Sequence, residues 1–214
     1  MLKSFCSFKS LVLACAVAVA IPVLASASTC GSVLPGKANS RINPGRPSQE
    51  IFNATVVHYM NLERCRRGLA PFALDPRLLA AAATHSRNMA ADESFSHRSR
   101  HAGQQTMAQR LKYAGVRAAT AGENISMDKL FALIGRPIST KSSGKCQFFY
   151  VGGEPVPMHS YNSLAKQAVA RFMASSKHRA NILNPRFVRG ATGLGIDQSS
   201  ATCGDIYITQ DFAS

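Results

Sequence analysis

Two imidazoles and one carboxylate are the side chains of this sequence most able to do chemistry together. His97 lies in ESFSHRS (93–99), Glu123 in AGENIS (121–126) and His178 in ASSKHRANILNPRF (174–187). Neutral imidazole nitrogens and a carboxylate oxygen are good zinc ligands in tetrahedral geometry. The same three groups form the protein ligand set of some catalytic zinc sites, with water in the fourth place. Such sites normally take two ligands from one helix, four residues apart. Here each ligand comes from a different segment, so only the fold can bring them together. A plainer role is open to the same residues, a hydrogen-bonded network that holds a sheet to its helices, with the Asn124 amide tying a loop to the backbone. In either arrangement, a carboxylate between two imidazoles favours their protonated forms and lowers its own pKa.

The elements that must position these groups are legible in part. Ser48 is a good N-cap, and Ile51, Val56, Tyr59, Met60 and Leu62 recur at helical spacing up to a stop at Gly68. The segment 73–91 is the clearest helix, with Asp75 as cap, Pro76 at the first helical position and Leu78, Ala82, His85 and Met89 on one face. A shorter helix is expected at 106–115 and a fourth from about Asn162 to Ser175. Between them, Met127 to His159 breaks the pattern and reads as an insertion with one hairpin around QFFYV. Leu194 and Ile196 alternate with glycines, and DIYITQDF (205–212) alternates cleanly, so the chain ends in strands. Gly193 and Gly195 read as sites of close backbone approach. Helices followed by late strands predict an α+β domain. No GxGxxG, P-loop, HExxH or GxSxG occurs.

Several residues are set aside. His85 is expected to be packed in an apolar face, and His58, His101 and His159 to be surface residues without acidic partners. The sequons NAT (53–55) and NIS (124–126) read as chance.

The start of the chain pairs Lys3 and Lys9 with an apolar run from Leu11 to Ala25 and a small-residue ASA site. This predicts a secretory signal peptide over 1–27 and a secreted or periplasmic product. Residues 28–47, rich in Gly, Pro, Ser and Asn, read as a flexible leader, and 48–214 as one domain. Cys30, Cys65, Cys146 and Cys203 remain after cleavage, an even number that argues for disulfides in an oxidising compartment. Four cysteines allow three pairings. The formal charge is +14, two fewer once Lys3 and Lys9 leave. Such a field attracts anionic surfaces, but the basic residues are dispersed and lack interleaved aromatics, so nucleic acid is not the expected partner.

The order of these segments resembles the CAP superfamily (cysteine-rich secretory, antigen 5 and pathogenesis-related-1 proteins) in its bacterial SCP-domain form. The likeness rests on NLERCRRGLAPFALDPRLLAAAATHSRNMA (61–90), the His97 segment, AGENIS, the His178 segment, LGIDQ and IYITQDF. It implies a three-layer α-β-α sandwich around a mostly antiparallel sheet, with a central cavity. It also implies that His97, Glu123 and His178 line that cavity and that they can hold a divalent metal such as zinc. The family's second glutamate has no counterpart in AVARFMASS, where Ser175 occupies the neighbourhood, and the usual Trp is Phe172.

The function implied is that of an exported binding module, monomeric and without turnover, that takes a small apolar ligand or an envelope partner. Leu130, Phe131, Leu133, Ile134, Phe148, Phe149 and Tyr150 of the insertion would form a ligand lip. As an equal alternative, Cys146–Cys203 pins the insertion as a passive loop, with Cys30–Cys65 holding the leader to the first helix. The competing reading is a metal-dependent hydrolase of peptides or cell-wall material, with Glu123 as general base. A third is adhesion to anionic envelope polymers.

Overall fold

The computed structural model describes residue 30 and residues 33–133, 135–139 and 146–214. The expected signal peptide (1–27) and Ile134 lie outside the described residues. Among the described residues five helices and four strands follow one another as α1 (Gln49–Cys65), β1 (Ala73–Leu74), α2 (Pro76–Ala91), α3 (Met107–Tyr113), β2 (Ala121–Lys129), α4 (Tyr161–Ala174), α5 (Ser176–Ile182), β3 (Arg189–Asp197) and β4 (Asp205–Ala213).

The helix starts follow their caps. Ser48 accepts from the Ile51 N–H, and Asp75 accepts from Arg77 and Leu78 ahead of Pro76. Thr106 and Ser160 each close a capping box, with Gln109 and Ser163. Three elements have no counterpart in the sequence reading, the first being β1, whose two residues open the segment expected as helix. AGENIS opens strand β2, which runs on to Lys129, so the insertion begins only at residue 130. His178 lies not past the last helix but inside α5, a seven-residue helix set off from α4 by the extended Ser175.

The sheet order is β1-β3-β4-β2, with β1 parallel to β3 and the other pairs antiparallel. Alternate residues of each strand face opposite layers. On one face, Leu194, Ile206, Ile208 and Phe212 join Phe52 and Met60 of α1 and Leu164 and Phe172 of α4 in the main core. Burying each such side chain is worth about 1.5–3 kcal/mol. On the other face, Ala191 and Ala213 meet Leu78 and Ala81 of α2 and Leu111 of α3. The result is the expected three-layer α-β-α sandwich. Helix α2 lies flush on β3 because Gly193 and Gly195 carry no side chain. A Cβ at Gly193 would stand 2.2 Å from the Ala83 nitrogen, and one at Gly195 would stand 2.1 Å from the Ser86 carbonyl oxygen.

From Val33 onward the leader is not a loose tether. Ala38 and Ile42 are buried, Arg41 bridges to Ser160, and the amides of Ile42 and Asn162 donate to the His159 and Ala38 carbonyls. Those bonds strap it across the start of α4. Both disulfides take the pairing that accompanied the passive-loop reading, Cys30–Cys65 and Cys146–Cys203. In the insertion, Leu130 and Tyr150 are buried and Phe131 packs on the core and against Phe148. Most of the expected lip is therefore turned inward. Asn53 and Asn124 of the two sequons are also buried.

Candidate functional site

The site is built on β2 at the edge of the sheet. Glu123 projects to the α2 side, in register with Asp211 of β4, while Asn124 projects to the α5 side. The loop after α2 brings in His97, whose Nδ1 lies 2.8 Å from Glu123 Oε1. The other carboxylate oxygen accepts from Arg110 of α3. The Arg110 side chain is 1% exposed and that of Glu123 is 4% exposed, whereas that of His97 is 58% exposed. Arg110 also donates to the carbonyls of His97 and Gln104, so it fixes the loop as well as the acid.

The second layer contributes from below the other face. Asn124 Nδ2 donates to the His178 carbonyl at 3.1 Å and to Gln210 at 3.0 Å, and Asn181 Nδ2 donates to Asn124 Oδ1 and to the Glu123 carbonyl. The amide of Asn124 thus ties the α5 segment to the sheet. The His178 ring stands edge-on to Phe172 at 5.2 Å. Ser175 joins α4 to α5, and its side chain makes no capping bond.

The electrostatics follow from burial. Burial works to raise the Glu123 pKa, but the hydrogen bond with His97 and the charge and hydrogen bond of Arg110 outweigh it, and the carboxyl titrates below its ordinary value. His178 departs from expectation. Burial, then repulsion from His97, lowers its pKa, so it is held neutral rather than protonated.

Three further groups belong to the site. Asp211 is fully buried, and as a carboxylate it has no donor on either oxygen. Burial, then the charge of Glu123, raises its pKa well above the usual range, and in the protonated form it donates to Glu123. His85 is buried with neither ring nitrogen bonded to a described side chain or backbone group by strict geometry, and burial holds its pKa down to about 4. Arg110 is the third. Each left a trace in the sequence. Arg110 interrupts the apolar stripe of Met107, Leu111 and Ala114, and Asp211 sits in a strand whose other charge, Asp205, is at its very start.

Two histidines depart from what is expected of them: His159 is not at the surface, and His101, which is, has an acidic partner. His159 is buried, with Nδ1 2.8 Å from Ser163 Oγ, and burial lowers its pKa against the opposing charge of Asp128. His101 Nε2 lies 3.4 Å from Asp92. His58 is half-buried and edge-on to Tyr59.

As a metal centre the arrangement is incomplete. Both oxygens of Glu123 are committed, and among the described residues no set of three His, Cys, Asp or Glu is placed to hold a metal ion. The residues present do not fit a three-ligand zinc site. What the geometry does provide is an exposed imidazole, oriented by a buried carboxylate through Nδ1, while the α5 segment that carries His178 is tied to the same strand through Asn124.

Known proteins share this layout. Uncharacterized protein YkwD of Bacillus subtilis (strain 168) is 27% identical over 154 residues, covering 72% of this chain and 46% of its own. The chain thus spans about half the length of the curated relative it matches. An extracellular protein containing an SCP domain from Bacillus anthracis superposes with a TM-score of 0.50 at 23% identity, over 77% of this chain and 41% of that one. An outer surface protein of Borrelia burgdorferi gives 0.47 at 11% identity, over 74% and 89%. Among the described residues no helix is long and apolar enough to cross a membrane. Residues 57–212 match the family model described as cysteine-rich secretory protein family, and the chain belongs to that family, CAP.

Proposed function

We infer that this chain is an exported binding module that holds its partner at the rim of β2 without turning it over. The observation that carries this is the state of Glu123. A general base needs a lone pair directed at the proton it removes. Here one oxygen is joined to His97 and the other to Arg110, and the side chain is buried. The acid serves to orient His97, which is the group left facing outward. The hydrolase reading is tested by supplying zinc with casein or cell-wall material and comparing wild type with Glu123→Gln. We expect no turnover above the blank. Hydrolysis that falls about a hundredfold or more in the variant would overturn the binding-only reading.

A second reading, binding of a small apolar ligand, is favoured by a separate groove. It measures about 460 Å³ and runs between α1, the strapped leader and β1, with walls from Val33, Val57, Phe72 and Leu74. That volume lies within the roughly 300–1,000 Å³ typical of small-molecule sites. A fluorescent fatty acid should bind to the wild type and be excluded by Ala54→Trp. Equal binding to both proteins would remove the groove from consideration.

A further inference from the structure

The outer edge of β2 is open. Two bonds just beyond the strand ends, Ser214 N–H to the Thr120 carbonyl and Leu130 N–H to the Gly204 carbonyl, continue the register of the β2–β4 ladder. They place the even-numbered residues of β2 in bonds to β4. In an antiparallel pair the residues between them turn N–H and C=O the other way. Residues 123, 125 and 127 therefore present their backbone outward. The Glu123 carbonyl accepts from Asn181 and the Met127 carbonyl from Arg171. Among the described residues nothing pairs with the N–H groups of Glu123, Ile125 and Met127 or with the Ile125 carbonyl.

These four groups run over about 14 Å. Ile125 is recessed, whereas the exposure of Glu123 lies in its backbone, since its side chain is buried. Leaving a recessed N–H and C=O unmade is costly, and sheet proteins usually protect such an edge with a charge, a proline or a bulge. Here, among the described residues, only two side chains, Asn181 and Arg171, reach the edge, one toward each end. It is also rich in donors, three N–H groups against one carbonyl. At its far end a groove of about 360 Å³ is lined by Met127, Leu133, Lys129 and Arg171 together with Asp128, whose side chain is already held by Gln167 and Arg171. The Arg171 side chain is 51% exposed, and the chain as a whole carries +14.

We propose that the outer edge of β2 takes an extended acidic peptide as an added strand, centred on Ile125, with an acidic side chain seated beside Arg171. Strand addition lets the backbone supply affinity and the flanking pocket supply choice. The donor excess selects a ligand that brings acceptors, and the positive field selects acidic side chains. This rests on the binding-only reading of the same rim and names the class of its partner.

The experiment uses the full oxidised chain and a blocked hexapeptide of alternating valine and glutamate, followed by amide-resolved NMR and calorimetry. Binding should shift the amides of Glu123, Ile125 and Met127. N-methylation of one central peptide nitrogen removes a single backbone bond and should weaken binding about tenfold. Arg171→Ala should weaken it several-fold, and a lysine counterpart should not bind. Met127→Pro, which deletes an outward N–H, should weaken binding further than Met127→Ala, which shortens the same side chain and keeps the N–H. The proposal is overturned by three outcomes: no binding, binding indifferent to N-methylation, or pairing of β2 with β2 of a second copy. Cleavage of a bound peptide would instead sink the binding-only reading and leave the edge site standing.

Discussion

Two arginines are buried in this domain, and they are stabilised in opposite ways. Arg64, near the end of α1, has no carboxylate. It donates to four backbone carbonyls, those of Ala70, Ile182, Asn184 and Phe187, and lies 3.9 Å over the Phe72 ring. Burial lowers its pKa to about 10. Arg110 has a carboxylate, Glu123, and donates to two carbonyls, but its Nε has no partner. The first guanidinium gathers loose carbonyls from three segments and completes the fold. The second sits among ionisable neighbours, Glu123, Asp211 and His85, whose proton affinities depend on one another. A buried charge met by fixed dipoles makes a scaffold, whereas one met by titratable groups makes a site.

The difference can be tested by removing each charge. Arg64→Leu should have the largest effect, because each orphaned carbonyl costs about 1–3 kcal/mol. A loss of roughly 5 kcal/mol in urea denaturation is expected, unchanged by adding Glu123→Gln. Arg110→Leu leaves a carboxylate buried without its cation, at a cost of about 3–5 kcal/mol. Here Glu123→Gln in the same chain should restore part of the loss. Equal rescue in both backgrounds would erase the distinction.

Of the two arginines' surroundings, only those of Arg110 hold a titrating histidine that makes them sensitive to acid. His85 titrates at about 4 in the folded chain, below its ordinary 6.5. The unfolded chain takes up that proton first, so stability falls as pH drops from 6.5 to 4, by roughly 3 kcal/mol. His85→Phe should flatten this part of the curve, as seen by thermal melts across pH. Asp211 acts in the reverse sense. Its raised pKa lets the folded chain keep a proton that the unfolded chain releases near pH 4. Stability is therefore lost as pH rises from there. Asp211→Asn should be more stable than wild type at pH 7, and the gap should close toward pH 4.

The sequence showed what local chemistry encodes. Asp75 and Pro76 mark the start of α2 because a cap and a fixed φ act within one turn. Gly193 and Gly195 mark the close approach of α2 because any Cβ there meets backbone. Strand β2 gives a weak signal because Glu123 and Lys129 interrupt the apolar odd-numbered face of Ala121, Ile125 and Met127. Helix α5 is too short for a periodic stripe. Glu123 and His97 were recognisable as a pair through the resemblance. The share of Arg110 and Asp211 was not, because it arises from a register between distant strands and from a helix of seven residues.

The two cystine bridges follow one another along the polypeptide and do not interleave. Each closes within its own contiguous stretch, and the segment that bears His97, Arg110 and Glu123 lies between them, enclosed by neither. A chain delivered amino end first meets its first pair of thiols, and can oxidise it, before the second pair emerges. Among these four thiols, order of appearance therefore favours the native pairing over a mismatched one.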